Sequence, residues 1–192
     1  MKTILLLILM CFRVAFASDS VYVLFVYGSK PKVNTESKWL GGIHGGHVSV
    51  SYNQAFISFV PHDGVRIFPR QSVNSAFVME TDGDFIFDTS RSRYMLLAFE
   101  IDSIQKHTLD SICRSKLDSA GYEYAFFGMR CASAAYDLLS VAGILPKMKR
   151  SKMIFKYFYP KLLRKQLLKK VKKENARIVY RPGRKSRKWE KD

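Results

Sequence analysis

Two side chains in this sequence have the chemistry of a nucleophile and a base. Cys131 opens a run of small residues, Ala132-Ser133-Ala134-Ala135, and His47 follows Gly45-Gly46 and leads into Val48-Ser49-Val50. A thiol attacks as its thiolate, and the unpaired N–H groups and dipole at a helix start favour that form. A histidine fixed at the head of a strand can take the thiol proton and later deliver it to a leaving group. Cys131 is therefore the expected nucleophile and His47 the expected base. Backbone N–H groups at the helix start would hold the oxyanion. Arg130, if it points inward, would favour the thiolate further.

These residues need a sheet and a helix to hold them. Val21 to Tyr27 is β-branched and aromatic on both faces and reads as a central strand. His47 to Tyr52 and Ala55 to Val60 read as a hairpin turning at Asn53-Gln54. Val65 to Phe68 suggests a short strand, and Arg93 to Ile101 a longer one; Phe77 to Ser90 is ambiguous. A helix is expected from the cap at Asp102 or Ser103 to about Ala120. A second runs from Cys131 to Ala142, with Ala135, Leu138, Leu139 and Ala142 inward, and stops at Gly143. Strands first and helices after point to an α+β fold.

The motif Gly46-His47-Val48-Ser49-Val50, followed by a hairpin strand and then Tyr124-Ala125-Phe126-Phe127-Gly128-x-x-Cys131, resembles the circularly permuted NlpC-type papain-like superfamily. Leu138-Leu139 and Ala142-Gly143-Ile144 extend the resemblance, which covers roughly residues 21–146. It implies an antiparallel sheet carrying the histidine, packed on a nucleophile-bearing helix, and thiol-based cleavage or transfer at amide or ester bonds. It also implies a third polar residue that orients the histidine from the neighbouring strand. Ser58 lies at about that place, with His62 just beyond it.

Charge divides the chain. Residues 1–146 carry 13 Lys+Arg and 13 Asp+Glu, whereas residues 147–192 carry 19 and 3. Residues 147–192 thus read as a basic C-terminal extension on a domain spanning 18–146 that carries little net charge. Leu163, Leu167 and Val171 recur every four positions in the extension, as on an amphipathic helix that could lie on an anionic surface. The rival expectation is that Ile178-Val179-Tyr180 and the aromatic patch 154–159 pack on the body and complete the fold. Met1-Lys2, the apolar run Thr3 to Phe12 and Ala15-Phe16-Ala17 match a secretory signal over 1–17. A secreted or periplasmic location follows, in which an anionic envelope polymer or a membrane surface suits the basic segment better than nucleic acid.

Of the cysteines outside that signal, Cys113 shares a helical stripe with Leu109, Ile112 and Leu117, so it is expected buried and Cys131 free. No cofactor is called for. His44, His47 and His62, with Asp63 or Cys131, also permit a reading as a histidine metal site. Asp82, Asp84 and Asp88 suit a turn better than a calcium site. A binding module of the same fold without catalysis is the alternative from another class.

Overall fold

The computed structural model describes residues 19–28, 46–62, 64–70, 75–80, 93–174 and 176–180. The signal-like segment 1–17, His44, Asp63, the aspartates at 82, 84 and 88 and residues 181–192 lie outside that set.

Strands β1 (Asp19–Tyr27), β2 (Gly46–Tyr52), β3 (Ala55–Pro61), β4 (Ser75–Glu80) and β5 (Tyr94–Ile101) come first. Helices α1 (Ser103–Asp118), α2 (Cys131–Val141), α3 (Arg150–Lys156) and α4 (Pro160–Lys173) follow, and β6 (Arg177–Tyr180) is last. The strands form one sheet in the order β4-β3-β2-β1-β5-β6, with every neighbouring pair antiparallel. This is the expected α+β architecture, a sheet packed against helices. The ambiguous stretch after Phe77 begins with a strand, β4, which pairs with β3 through Phe59↔Phe77 and Phe56↔Glu80. Val65 to Phe68 is no strand. It contributes a single bridge, Arg66↔Ala125, and its backbone carbonyls otherwise serve the loop before α2.

Local chemistry sets the element ends. Asn53 and Gln54 both take positive φ, 46° and 64°, the twist a two-residue hairpin needs. Asp102 caps α1 by accepting from the Gln105 N–H at 2.7 Å, while the Gln105 side chain accepts from the Asp102 N–H at 3.2 Å. Gly46 sits at φ +97°, where a Cβ would stand 2.7 Å from the Val26 carbonyl oxygen. Only glycine lets β2 start that close to β1.

Period-two alternation sorts the strands' side chains between two faces. Val21, Val23 and Phe25 of β1, Val48 and Val50 of β2, and Ile57 and Phe59 of β3 join the main core, to which each of the four helices among the described residues contributes. The other face carries a smaller cluster of Leu24, Phe56 and Tyr94. His47, Ser49 and Ser58 fall on that second face by register.

The basic segment divides. Residues 150–173 are part of the fold: Met153, Tyr157, Leu163 and Leu167 are buried in the main core, and Tyr136 stacks on Tyr157 at 4.4 Å. Arg164 is fully buried with its guanidinium 3.7 Å from the centre of the Tyr27 ring. Strand β6 pairs with β5. The leucine stripe expected to meet an anionic surface is thus spent on the core, because the sheet offers that stripe a larger apolar partner. Replacing Leu163 or Leu167 by Ala should cost about 2–5 kcal/mol in urea unfolding. A chain ending at Lys149 should lose its cooperative transition; a native-like transition in that fragment would show the segment to be an appendage.

Candidate active site

Helix α2 begins at Cys131 because the preceding residue is extended and self-capped. Arg130 has φ −142° and ψ 173°, its N–H donates to Ser133 Oγ at 2.8 Å, and that hydroxyl donates back to the Arg130 carbonyl at 3.0 Å. Ala132, Ser133, Ala134 and Ala135 are all buried, so the first turn lies directly against β2 and β3. The lead-in is held by Phe126 N–H to the Arg66 carbonyl at 2.7 Å and Phe127 N–H to the Ile67 carbonyl at 2.8 Å.

Three donors converge on the Cys131 sulfur. The Tyr124 hydroxyl is 4.0 Å away, and the backbone N–H groups of Val48 and Ala132 also point at it. A strand's N–H lies in the plane of its sheet, so the sulfur meets β2 edge-on. The β2–β3 ladder runs only from Ser49↔Ser58 to Tyr52↔Ala55, which leaves Val48 beyond its end. The two cysteines among the described residues are free thiols, and Cys113 is buried as expected, its pKa pushed up to about 12 chiefly by burial.

The thiolate expected at Cys131 is not favoured. Cys131 is 4% exposed, and burial raises its pKa above the ordinary value. The Tyr124 hydroxyl, the Val48 N–H, the Arg130 charge and the Ala132 N–H all act the other way and do not cancel that cost. Arg130 is itself inward and buried, its guanidinium 3.3 Å from the Phe158 ring centre, so it serves packing as much as charge. Desolvation outweighs the helix start.

His47 heads β2 as expected, but its side chain leaves on the second sheet face with Ser49; Val48 is the residue directed at the helices. Alternation decides this, since burying Val48 and Val50 against α2 turns His47 away. Histidine and sulfur therefore flank one peptide group, that of His47–Val48, from different sides. The imidazole Nε2 is 3.9 Å from Glu80 Oε2. Glu80 also accepts from the Ser58 hydroxyl and from the Ser49 hydroxyl at 3.3 Å, and the two serines are 2.6 Å apart. With the carboxylate engaged by hydroxyls, burial dominates at His47 and lowers its pKa to about 4.

The residue beside His47 is Glu80, then, and Ser58 stands behind it. His62 lies exposed past the end of β3 and lines a cavity of about 700 Å³ with Lys116, Tyr122 and Arg150. It does not join the Ser49–Ser58–Glu80 group. Two residues of the site went unassigned in the sequence. Glu80 closes a largely apolar run whose strand character is obscured by Asp82-Gly83-Asp84, and Tyr124, though it opens the motif that ends at Cys131, carries no pattern that marks a role for its hydroxyl. Among the described residues no three His, Cys, Asp or Glu side chains form a metal-sized group; His44 and Asp63 lie outside them. No protein-family model, curated protein or solved structure matches this chain.

The lowered His47 pKa ties stability to acid. A histidine whose folded pKa lies below its unfolded 6.5 supports folding above 6.5 and withdraws that support as pH falls toward 4. The full effect is about 3 kcal/mol. Urea midpoints for the native protein should drop through this range, and His47→Gln should flatten the drop. Parallel pH profiles for the two proteins would contradict a buried, neutral imidazole.

Proposed function

We propose that this protein is a secreted or periplasmic cysteine hydrolase or acyltransferase of permuted papain-like fold, acting on amide or ester bonds. The observation that carries the reading is the convergence of the Tyr124 hydroxyl and the Val48 and Ala132 N–H groups on a helix-start sulfur, beside the peptide that bears His47. In the proposed reaction these donors turn from the sulfur to the oxygen of the tetrahedral intermediate once an acyl carbon joins the sulfur.

Thiol and imidazole rest uncharged, so attack goes by general base catalysis rather than from a standing thiolate. As the Cys131 Sγ–carbon bond forms, the thiol proton passes to His47; because the imidazole leaves β2 on the face away from α2, this step requires the ring to come around the open end of the β2–β3 ladder to the sulfur. Glu80, backed by Ser58, steadies the imidazolium. His47 then protonates the departing nitrogen or oxygen as the carbon–leaving-group bond breaks. Water or a second acceptor takes the acyl group from sulfur in the same way. The substrate is a peptide, amide or lipid ester, and the basic surface holds the enzyme at an anionic membrane or envelope polymer.

A second reading, a non-catalytic module, draws on the near-complete burial of Cys131. Acylation by a nitrophenyl ester, followed by peptide mapping, separates the two. In the native protein Cys131 should acylate and Cys113 should not, and His47→Ala should slow the reaction roughly 10²–10⁴-fold. Labelling of Cys131 only after unfolding, or at a rate indifferent to His47, would establish the non-catalytic reading.

A further inference from the structure

The surface beside Cys131 carries a ladder of aromatic rings whose middle, Phe126 and Phe158, rests on the Arg130 guanidinium and whose ends are exposed. Phe68 stacks on Phe127 at 5.2 Å, Phe127 meets Phe126 at 4.9 Å, Phe126 meets Phe158 at 4.8 Å and Phe158 meets Tyr159 at 4.8 Å. Phe68 is 61% exposed and Phe127 43% exposed, and on the neighbouring helix Phe155 reaches 68%. Phe126 and Phe158 between them are half-buried, and exposed rings joined in this way mark a surface that is covered in use.

Its surroundings say by what. Residues 147–173 hold twelve Lys and Arg and no Asp or Glu. Lys152, Lys156, Lys165 and Lys169 are exposed on the two helices that Tyr159 joins. Charge of one sign calls for an anionic partner, and the rings call for one with an apolar layer beneath its charges. A bilayer with anionic headgroups offers both at the right depth, since aromatic side chains settle at the headgroup boundary while lysines reach the phosphates. An anionic polymer would meet the lysines and leave the rings in water.

We infer that the ladder from Phe68 to Tyr159, with Phe155 and the lysines of α3 and α4, docks this protein on an anionic lipid bilayer. The contact is made by these rings rather than by the leucine stripe of α4, which is buried. Docking there sets the Arg130–Cys131 end of α2 close to the lipid surface. The inference stands on the surface alone and does not require Cys131 to react.

Co-sedimentation of the full chain with phosphatidylcholine vesicles, with and without phosphatidylglycerol, tests it. The native protein should bind the mixed vesicles and not the neutral ones, with partial survival of binding at high salt. The double variant Phe68→Ser, Phe155→Ser should bind at least about tenfold more weakly while its thermal unfolding is unchanged. The single variant Phe155→Trp gives an independent reading: the emission it adds should shift to the blue on binding and be quenched by brominated lipid. Equal binding by the double variant, added emission in Phe155→Trp that is indifferent to lipid, or binding to polyglutamate without binding to vesicles would each overturn the inference.

Discussion

The contact between the first turn of α2 and the head of β2 is the constraint on which the site depends. Four consecutive small residues let the helix start come close enough to β2 for the Val48 N–H to act on the Cys131 thiol, favouring its charged form. On the strand side, Gly46 alone permits β2 to begin against Val26, and the same backbone then presents Val48 to the sulfur. Bulk at either place would part helix from sheet. The Tyr124 hydroxyl reaches the sulfur because its ring rests on Phe59 of β3, 5.3 Å between centres, so the donor is set by the same core.

Close packing has an electrostatic cost. A sulfur drawn into the core gains hydrogen bonds and a helix dipole but loses water, and the loss is larger. His47 meets the same balance on the other side of the strand, where a carboxylate at 3.9 Å does not compensate for burial. The resting state is consequently two uncharged groups on either side of one peptide. Charge separation waits for a substrate that supplies the missing polarity. The C-terminal helices belong to this arrangement, since Pro160 packs within 3.6 Å of a Cβ position at Gly46 and Phe158 covers Arg130.

Much of the frame was legible because it is written in local periodicity. The hairpin at Asn53-Gln54, the cap at Asp102, the helix from Cys131 and the burial of Cys113 follow from short-range rules, and the structure has each of them. Long-range facts were not legible. Whether Leu163 and Leu167 meet lipid or core depends on a sheet formed far earlier in the chain, and an amphipathic stripe reads the same in either case. The side on which His47 leaves β2 turns on which alternate residues α2 covers, and valine on both sides of Ser49 settles that only once the helix is in place. Glu80 was hidden because the sequence just after it, Asp82-Gly83-Asp84, breaks the apolar pattern that would mark its strand. The balance at Cys131 could not be read from a helix start alone, because burial is a property of the whole fold.

The central claim is that the sulfur of Cys131 is a desolvated, neutral thiol where α2 packs on the sheet. Its Cβ shift, followed by NMR across pH in protein labelled with ¹³C at cysteine Cβ, reports the thiol directly and apart from Cys113. The expected titration midpoint lies above that of an ordinary thiol, about 8.5, and the resonance stays at its thiol position through neutral pH. A midpoint below the ordinary value, with thiolate present at neutral pH, would contradict it.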